Sequence, residues 1–328
     1  MQYDIEGAWA LLRTCNYRCD YCFLSERALG EKIRVHATPA QWRAAFDDTG
    51  KTWLVHLTGG EPSHYPEFAE VCAALSEGHY LSLNSNLTGS SITDFAQRVD
   101  PARVSYINAG LHPEERARRQ GEDLFLRHAE LLVRRGFPIM VSVVATPEVL
   151  RDFEAIIDFL RPVGLMPIPK LMQGKVQKQR YPDAYTAGER RLFRDYSRLA
   201  ERAYPVLFDD SRIAERPSID APTGRNFLRG LAEYRGRLCN AGMEYVKIEA
   251  DGRVDRCGDG VQLGNLLDRT VQFATAPAPC DRRHCFYVCE KYTARAARNA
   301  IAPEPLPGLM AAFADGLRRR FSAWTTPG

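Results

Sequence analysis

The 328-residue sequence has no apolar run near the ~18–20 residues that a membrane-spanning helix needs. Its first residues, Met1-Gln2-Tyr3-Asp4-Ile5-Glu6, have neither the basic start nor the apolar stretch of a secretory signal. We therefore expect a cytoplasmic protein with no membrane partner. Net charge is almost lacking: 44 Lys and Arg against 41 Asp and Glu leave +3. That balance argues against a polybasic nucleic-acid binder and an acidic tail protein. Internal repeats and low-complexity tracts are missing too. Cysteine is absent between Cys72 and Cys239, although the chain holds nine. An odd number without a signal peptide argues against a disulfide framework. Three cysteines lie close together near the N-terminus and five lie in the last 90 residues. Two clusters of soft thiolate ligands suggest two metal sites, with iron–sulfur, zinc or copper(I) as the metals such ligands select.

The first 170 residues alternate short apolar runs with helical patterns. Strands are expected at Trp9–Leu12, Trp53–Leu57, Tyr80–Asn84, Val104–Asn108, Ile139–Val144 and Val163–Ile168. Helices are expected at Pro39–Phe46, capped by Thr38, and at Pro66–Leu75, Leu124–Val133 and Val149–Leu160. Strands alternating with helices imply α/β architecture with a parallel sheet, as an open doubly wound sheet or a barrel-like curl. Cys72 falls on the apolar face of its helix and reads as a small core residue. A polar stretch with a helix over Ala187–Ala203 follows, then a Pro- and Gly-bearing linker. Tyr245–Ile248 and Val254–Arg256 flank Asp251-Gly252 as a hairpin, and residues 305 to 324 suggest a terminal amphipathic helix.

Cys15-x3-Cys19-x2-Cys22 follows directly on the first expected strand. Three thiolates on one loop suit three corners of a cubane that normally takes four, which leaves one iron open for a ligand. A structural zinc would need a fourth closed ligand, and the closest histidine is His36. Tyr21, just before the last cysteine, is placed to pack over a ligand there. The second strand ends in Gly59-Gly60-Glu61-Pro62. Two glycines let backbone approach a ligand, and Glu61 offers an acceptor for an ammonium. Together these segments resemble the radical S-adenosylmethionine (SAM) superfamily, whose hallmarks are Cys-x3-Cys-x-aromatic-Cys and Gly-Gly-Glu-Pro. The resemblance implies a partial (β/α)6 TIM-like barrel, a SAM-binding 4Fe-4S cluster on Cys15, Cys19 and Cys22, and SAM received at Gly59, Gly60, Glu61 and Pro62. It implies reductive cleavage of SAM to methionine and a 5′-deoxyadenosyl radical. Asn84 and Asn86 at the third strand end, and Ser142 in the fifth, match polar cofactor positions more loosely. His112 follows the fourth strand and is a candidate catalytic residue, since ligands collect at the carboxyl ends of parallel strands.

The C-terminal cysteines read Cys239-x12-Gly252-x4-Cys257, then Cys280-x4-Cys285-x3-Cys289. This resembles the auxiliary-cluster domain called SPASM, or its shortened form called twitch. Five cysteines are too few for two full thiolate sets, so the resemblance implies one auxiliary 4Fe-4S cluster. Cys239, Cys257 and Cys289 are its expected ligands, with Cys285 ahead of Cys280 as the fourth and the remaining thiol spare or a hydrogen-atom donor. The expected organisation is a barrel over residues 1–205, a linker over 206–234, the auxiliary domain over 235–292 and a helical tail over 293–328. The expected activity is that of a radical SAM oxidoreductase. It would oxidise an alcohol on a small carbohydrate- or cyclitol-like molecule by two electrons, with flavodoxin or ferredoxin as one-electron reductant. Lys170, Lys175, Lys178 and Arg180 would line the mouth for an anionic or hydroxylated substrate. Epimerisation, maturation of a ribosomal peptide, and an iron–sulfur redox sensor are the alternatives. A sensor has no use for Gly-Gly-Glu-Pro.

Overall fold

The computed structural model describes residues 1–209, 214, 233–282 and 289–299. The chain alternates strand and helix from its start. In order come β1 (Ile5–Leu12), α1 (Glu26–Leu29), α2 (Pro39–Asp47), β2 (Trp53–Gly59), α3 (Phe68–Ser76), β3 (Tyr80–Ser85) and α4 (Ser91–Arg98). Next are β4 (Val104–Gly110), α5 (Pro113–Arg118), α6 (Glu122–Arg134), β5 (Ile139–Val144), α7 (Pro147–Arg151), α8 (Phe153–Leu160) and β6 (Pro167–Lys170). A small hairpin, β7 (Gly174–Val176) and β8 (Gln179–Tyr181), precedes α9 (Ala187–Ala203). The C-terminal part holds β9 (Leu238–Cys239), β10 (Tyr245–Ile248), β11 (Arg253–Asp255), β12 (Gln262–Asn265), β13 (Ala278–Pro279) and α10 (Cys289–Asn299).

Strands β1 to β6 pair in sequence order and in parallel. Their period of two gives each face its own chemistry. The outer face carries Trp9, Trp53, Val55, Leu57, Leu81 and Leu83, all buried. It packs on the helices: Trp9 lies 4.5 Å from Trp42 of α2, and Phe46 meets Trp53 edge-on at 5.2 Å. The inner face is polar. Register aligns Ala8, His56, Ser82 and Tyr106 in one row, and Asn84 beside Asn108 in the next row toward the carboxyl ends. This is the expected partial (β/α)6 barrel. Thr38 and Gln41 form the reciprocal cap that starts α2 at Pro39.

Among the boundaries that differ from expectation, three have clear local reasons. Glu67 holds φ 56°, so α3 starts at Phe68 and not at Pro66. Asp152 leaves helical geometry and divides Val149–Leu160 between α7 and α8. A 3₁₀ turn over Arg161–Val163, closed by Gly164 at φ 69°, delays β6 to Pro167. The expected helix at 305–324 lies outside the described residues, as does the linker over 210–213 and 215–232.

The sheet does not stop at β1. Strand β10 pairs parallel to its free edge, from Glu6↔Tyr245 to Trp9↔Ile248, and β11 and β12 extend it to nine strands. The expected hairpin around Asp251-Gly252 is present, but it continues the barrel sheet across the boundary drawn at residue 235. A buried polar network backs this junction. Lys291 of α10 forms an ion pair with Glu6 of β1, which also bonds Tyr3. Glu6 Oε2 accepts from His56 Nε2 at 2.9 Å, and Ser82 Oγ donates to His56 Nδ1 at 2.6 Å. Burial opposes a charge on Glu6, yet Lys291 and His56 together hold its carboxyl well below the usual range.

Candidate active site

The cysteine loop leaves the carboxyl end of β1 and is held by backbone at both ends. Cys15 N donates to Leu29 O at 3.1 Å, and Cys22 N donates to Cys19 O at 2.9 Å. All three cysteines are free thiols, partly exposed. Burial pushes the Cys15 thiol up to about 11 and the Cys19 thiol up to about 12, and each feels its neighbours' charge. Such thiols release their protons to a metal. No three His, Cys, Asp or Glu side chains close on a single ion among the described residues. A cubane does not ask for that, because each corner iron takes one thiolate. The free, mutually close thiols fit such a cluster.

Gly59 and Gly60 are required by close approach to the chain itself. A Cβ on Gly59 would sit 2.1 Å from Leu12 O, and one on Gly60 2.1 Å from Thr14 O. The glycines let the end of β2 lie against the residues leading into Cys15, where Gly60 N donates to Leu12 O and Glu61 N to Thr14 O.

Glu61 is bonded within the chain. Its carboxylate is 1% exposed and already holds four donors. Ser63 N at 3.0 Å, Ser63 Oγ at 2.5 Å and Ser85 Oγ at 2.6 Å donate to Oε1, and Asn86 N donates to Oε2 at 2.6 Å. Three donors crowd Oε1 and one holds Oε2, which keeps a lone-pair site. Glu61 thereby ties the turn at Pro62, itself buried, to the end of β3. Asn86 is also bonded inside the chain. Its side chain donates to Asn16 Oδ1 at 2.9 Å and accepts from Thr88 N at 3.0 Å, which anchors the cysteine loop.

Asn84 and Ser142 do face inward. Asn84 Oδ1 accepts from Asn108 Nδ2 at 2.8 Å, and Asn108 Oδ1 is buried with no partner. Ser142 shares this face, opposite Gly110. An orphaned acceptor in a polar inner wall fits a bound molecule with hydroxyl or N–H donors. Sequence reasoning missed Asn108, although its place two residues from Tyr106 and opposite Asn84 marks the same face.

His112 is not an isolated side chain at the mouth. Its ring stacks on Tyr21 at 6.0 Å, with Nδ1 2.9 Å from Tyr21 Oη and 3.6 Å from Cys19 Sγ. Burial, with Arg116 and Lys170 nearby, lowers it to about 3, so the ring is neutral. Tyr21 also borders an apolar group of Ala145, Leu150, Met172 and Tyr181 beyond β5 and β6.

The second cysteine group is partly described. Cys239 on β9 and Cys257 after β11 pack into one small core with Tyr245 and Tyr292. Pairing of β9 with β13 brings Cys280 beside them, close enough that its charge acts on Cys239. Burial raises Cys239, and burial with Asp259 pushes Cys257 up to about 12. Cys285 lies outside the described residues, and so does the side chain of Cys289, which opens α10. Preference for Cys285 over Cys280 therefore has no counterpart here, while Cys280 stands with Cys239. Arg13, two residues before Cys15, reaches Glu249 past the end of β10 at 3.3 Å, so the two cysteine regions are joined by an ion pair.

Residues 9–160 match the family model of the Radical SAM superfamily. The match runs from Trp9, within β1, to the end of α8. Solved structures of the same fold include native anSMEcpe with bound AdoMet, at TM-score 0.55 and 16% identity, covering 81% of this chain and 79% of that one. Another is SuiB of Streptococcus suis bound to its precursor peptide SuiA, at TM-score 0.53 and 15% identity, covering 82% of this chain and 65% of that one. A third is native anSMEcpe with AdoMet and the Cp18Cys peptide, at TM-score 0.53, 18% identity, and 81% and 78% coverage. These likenesses show the fold. No curated protein matches the chain. Among the described residues no helix is long and apolar enough to cross a membrane.

Proposed function

We propose that the chain is a radical SAM oxidoreductase with one auxiliary 4Fe-4S cluster. The observation that carries this is the cysteine triplet at the end of β1, pressed by Gly59 and Gly60 inside a matched radical SAM domain. Cys15, Cys19 and Cys22 would hold the SAM-binding cluster. Cys239, Cys257 and Cys280 would supply the auxiliary one, with Cys289 or Cys285 completing it. When bound, the first cluster and SAM supply one-electron cleavage of the sulfonium, giving methionine and a 5′-deoxyadenosyl radical.

The chain's own residues would do the rest. Asn84, Asn108 and Ser142 orient bound hydroxyl or amino groups on the inner wall. Tyr21 and the apolar group beside it exclude water from the mouth. Lys175, Lys178 and Arg180 lie on or beside the exposed β7–β8 hairpin and would attract an anionic or hydroxylated substrate. The reaction proposed is two-electron oxidation of a small polar alcohol, with a flavodoxin- or ferredoxin-type reductant in the cytoplasm. A peptide is the second substrate class, favoured by the peptides bound in SuiB and anSMEcpe. Iron and sulfide are counted anaerobically in the wild type and in Cys15→Ala/Cys19→Ala/Cys22→Ala, with 5′-deoxyadenosine release as second readout. About eight irons falling to about four, with release abolished, supports two clusters. About four falling to none removes the auxiliary cluster, and with it the oxidation.

A further inference from the structure

The segment after β4 touches the cysteine loop at three successive points. Pro113 opens α5, and His112, Glu115 and Arg116 fall on one face at i, i+3 and i+4. Each meets a different residue of the loop. Glu115 Oε2, buried, accepts the Arg18 N–H at 2.9 Å. Arg116, 1% exposed, lies 5.6 Å from the centre of the Tyr17 ring. Its guanidinium donates to carbonyls of Asn86, Gly110 and Leu111, so it also fixes the ends of β3 and β4. His112 meets Tyr21 and Cys19.

Two backbone features accompany the imidazole. His112 itself sits at φ 48°, ψ 65°, a left-handed conformation that costs a non-glycine residue about 1 kcal/mol. A Cβ on Gly110 would lie 2.5 Å from His112 Nε2, so a side chain there would displace the ring. Local strain kept at such a place signals a role for the group it aims. The donors then order themselves. Nδ1 lies 2.9 Å from Tyr21 Oη and 3.6 Å from Cys19 Sγ, and a thiolate there can only accept. A bond from the imidazole to that sulfur requires the tautomer with hydrogen on Nδ1, with Tyr21 oxygen as its second acceptor.

We propose that His112 is a positioning residue for the Cys19 corner of the cluster, its Nδ1–H shared between Cys19 sulfur and Tyr21 oxygen. The inference rests on the cluster assignment of the preceding section. Hydrogen bonds to ligating sulfur disperse its negative charge and favour the reduced cluster, so this contact raises the reduction potential. It also fixes the Tyr21 ring across the mouth.

The test is an anaerobic redox titration of the reconstituted holoenzyme, following by electron paramagnetic resonance the signal that changes on adding SAM. His112→Phe keeps the ring and removes the donor. Tyr21→Phe removes the second acceptor without touching the strained backbone, leaves Nδ1–H to the sulfur alone, and so stands if His112→Phe does not fold. His112→Phe is expected to shift that cluster to lower potential with full iron content, Tyr21→Phe to shift it to higher potential, and the double variant to match His112→Phe. Unchanged potentials, or shifts that simply add, would overturn the contact while leaving the cluster assignment intact. Iron content indifferent to Cys15→Ala/Cys19→Ala/Cys22→Ala would overturn the assignment, and the contact with it.

Discussion

Glu61→Gln separates a carboxylate that serves the fold from one that waits for a ligand. In the better of its two orientations, the substituted amide keeps its oxygen toward Ser63 N, Ser63 Oγ and Ser85 Oγ. Its NH₂ then faces Asn86 N–H, donor against donor, in a site 1% exposed. One charge-assisted hydrogen bond is lost and one buried donor is left unmatched, together about 2–4 kcal/mol. The three surviving bonds also lose their ionic partner. At roughly 2 °C per kcal/mol for a large domain, the melting temperature should fall about 4–8 °C. The measurement is thermal unfolding of cluster-loaded, SAM-free protein under argon, beside calorimetric SAM titration. SAM affinity should weaken too, because the Pro62 turn and the end of β3 lose their common anchor. Unchanged melting with weakened SAM binding would refute the reasoning. It would mean that the carboxylate is free for the ligand's ammonium and not consumed by the chain.

Two other outcomes follow from buried charges. Lys291→Met leaves Glu6 buried without its cation and should cost about 3–5 kcal/mol by urea unfolding, whereas Glu6→Gln/Lys291→Met should recover most of the loss; equal costs for the single and double variants would deny the pairing. His79 accepts from Trp53 N at 3.4 Å, and its burial lowers its pKa below the ordinary value. The unfolded chain thus binds a proton near pH 6.5 that the folded chain refuses. Wild-type stability should fall as pH drops through about 6.5, and His79→Gln, which keeps an acceptor for Trp53, should flatten that part of the profile.

Much of the barrel was open to reading because its signals are local. Thr38 with Pro39 announces α2, and the alternation of Leu81, Ser82, Leu83 and Asn84 announces a half-polar strand. The cysteine spacing and Gly59-Gly60 marked the loop and its neighbour. What the glycines face was not legible, because a glycine reports a close approach without saying by what. The partners of Glu61 and Asn86 within the chain were hidden for a related reason. A buried carboxylate or amide looks the same in sequence whether its partners are ligand atoms or Ser63, Ser85, Asn16 and Thr88. The pairing of β10 with β1 joins residues about 240 apart, and no periodicity within either strand could reveal it.

That pairing bears on how the protein is made. Strand β1 has one partner from β2 onward, but its other edge stays bare until Tyr245–Ile248 leaves the ribosome. At about 5–20 residues per second, the delay is on the order of tens of seconds. During that time the strand that leads to Cys15 presents unpaired N–H and C=O groups, a template for another nascent chain. Messenger RNA changes that slow translation between β6 and β10 should raise aggregation while leaving the amino-acid sequence untouched. Co-expression at lower temperature, or a chaperone that shields strand edges, should rescue soluble yield more than added iron does.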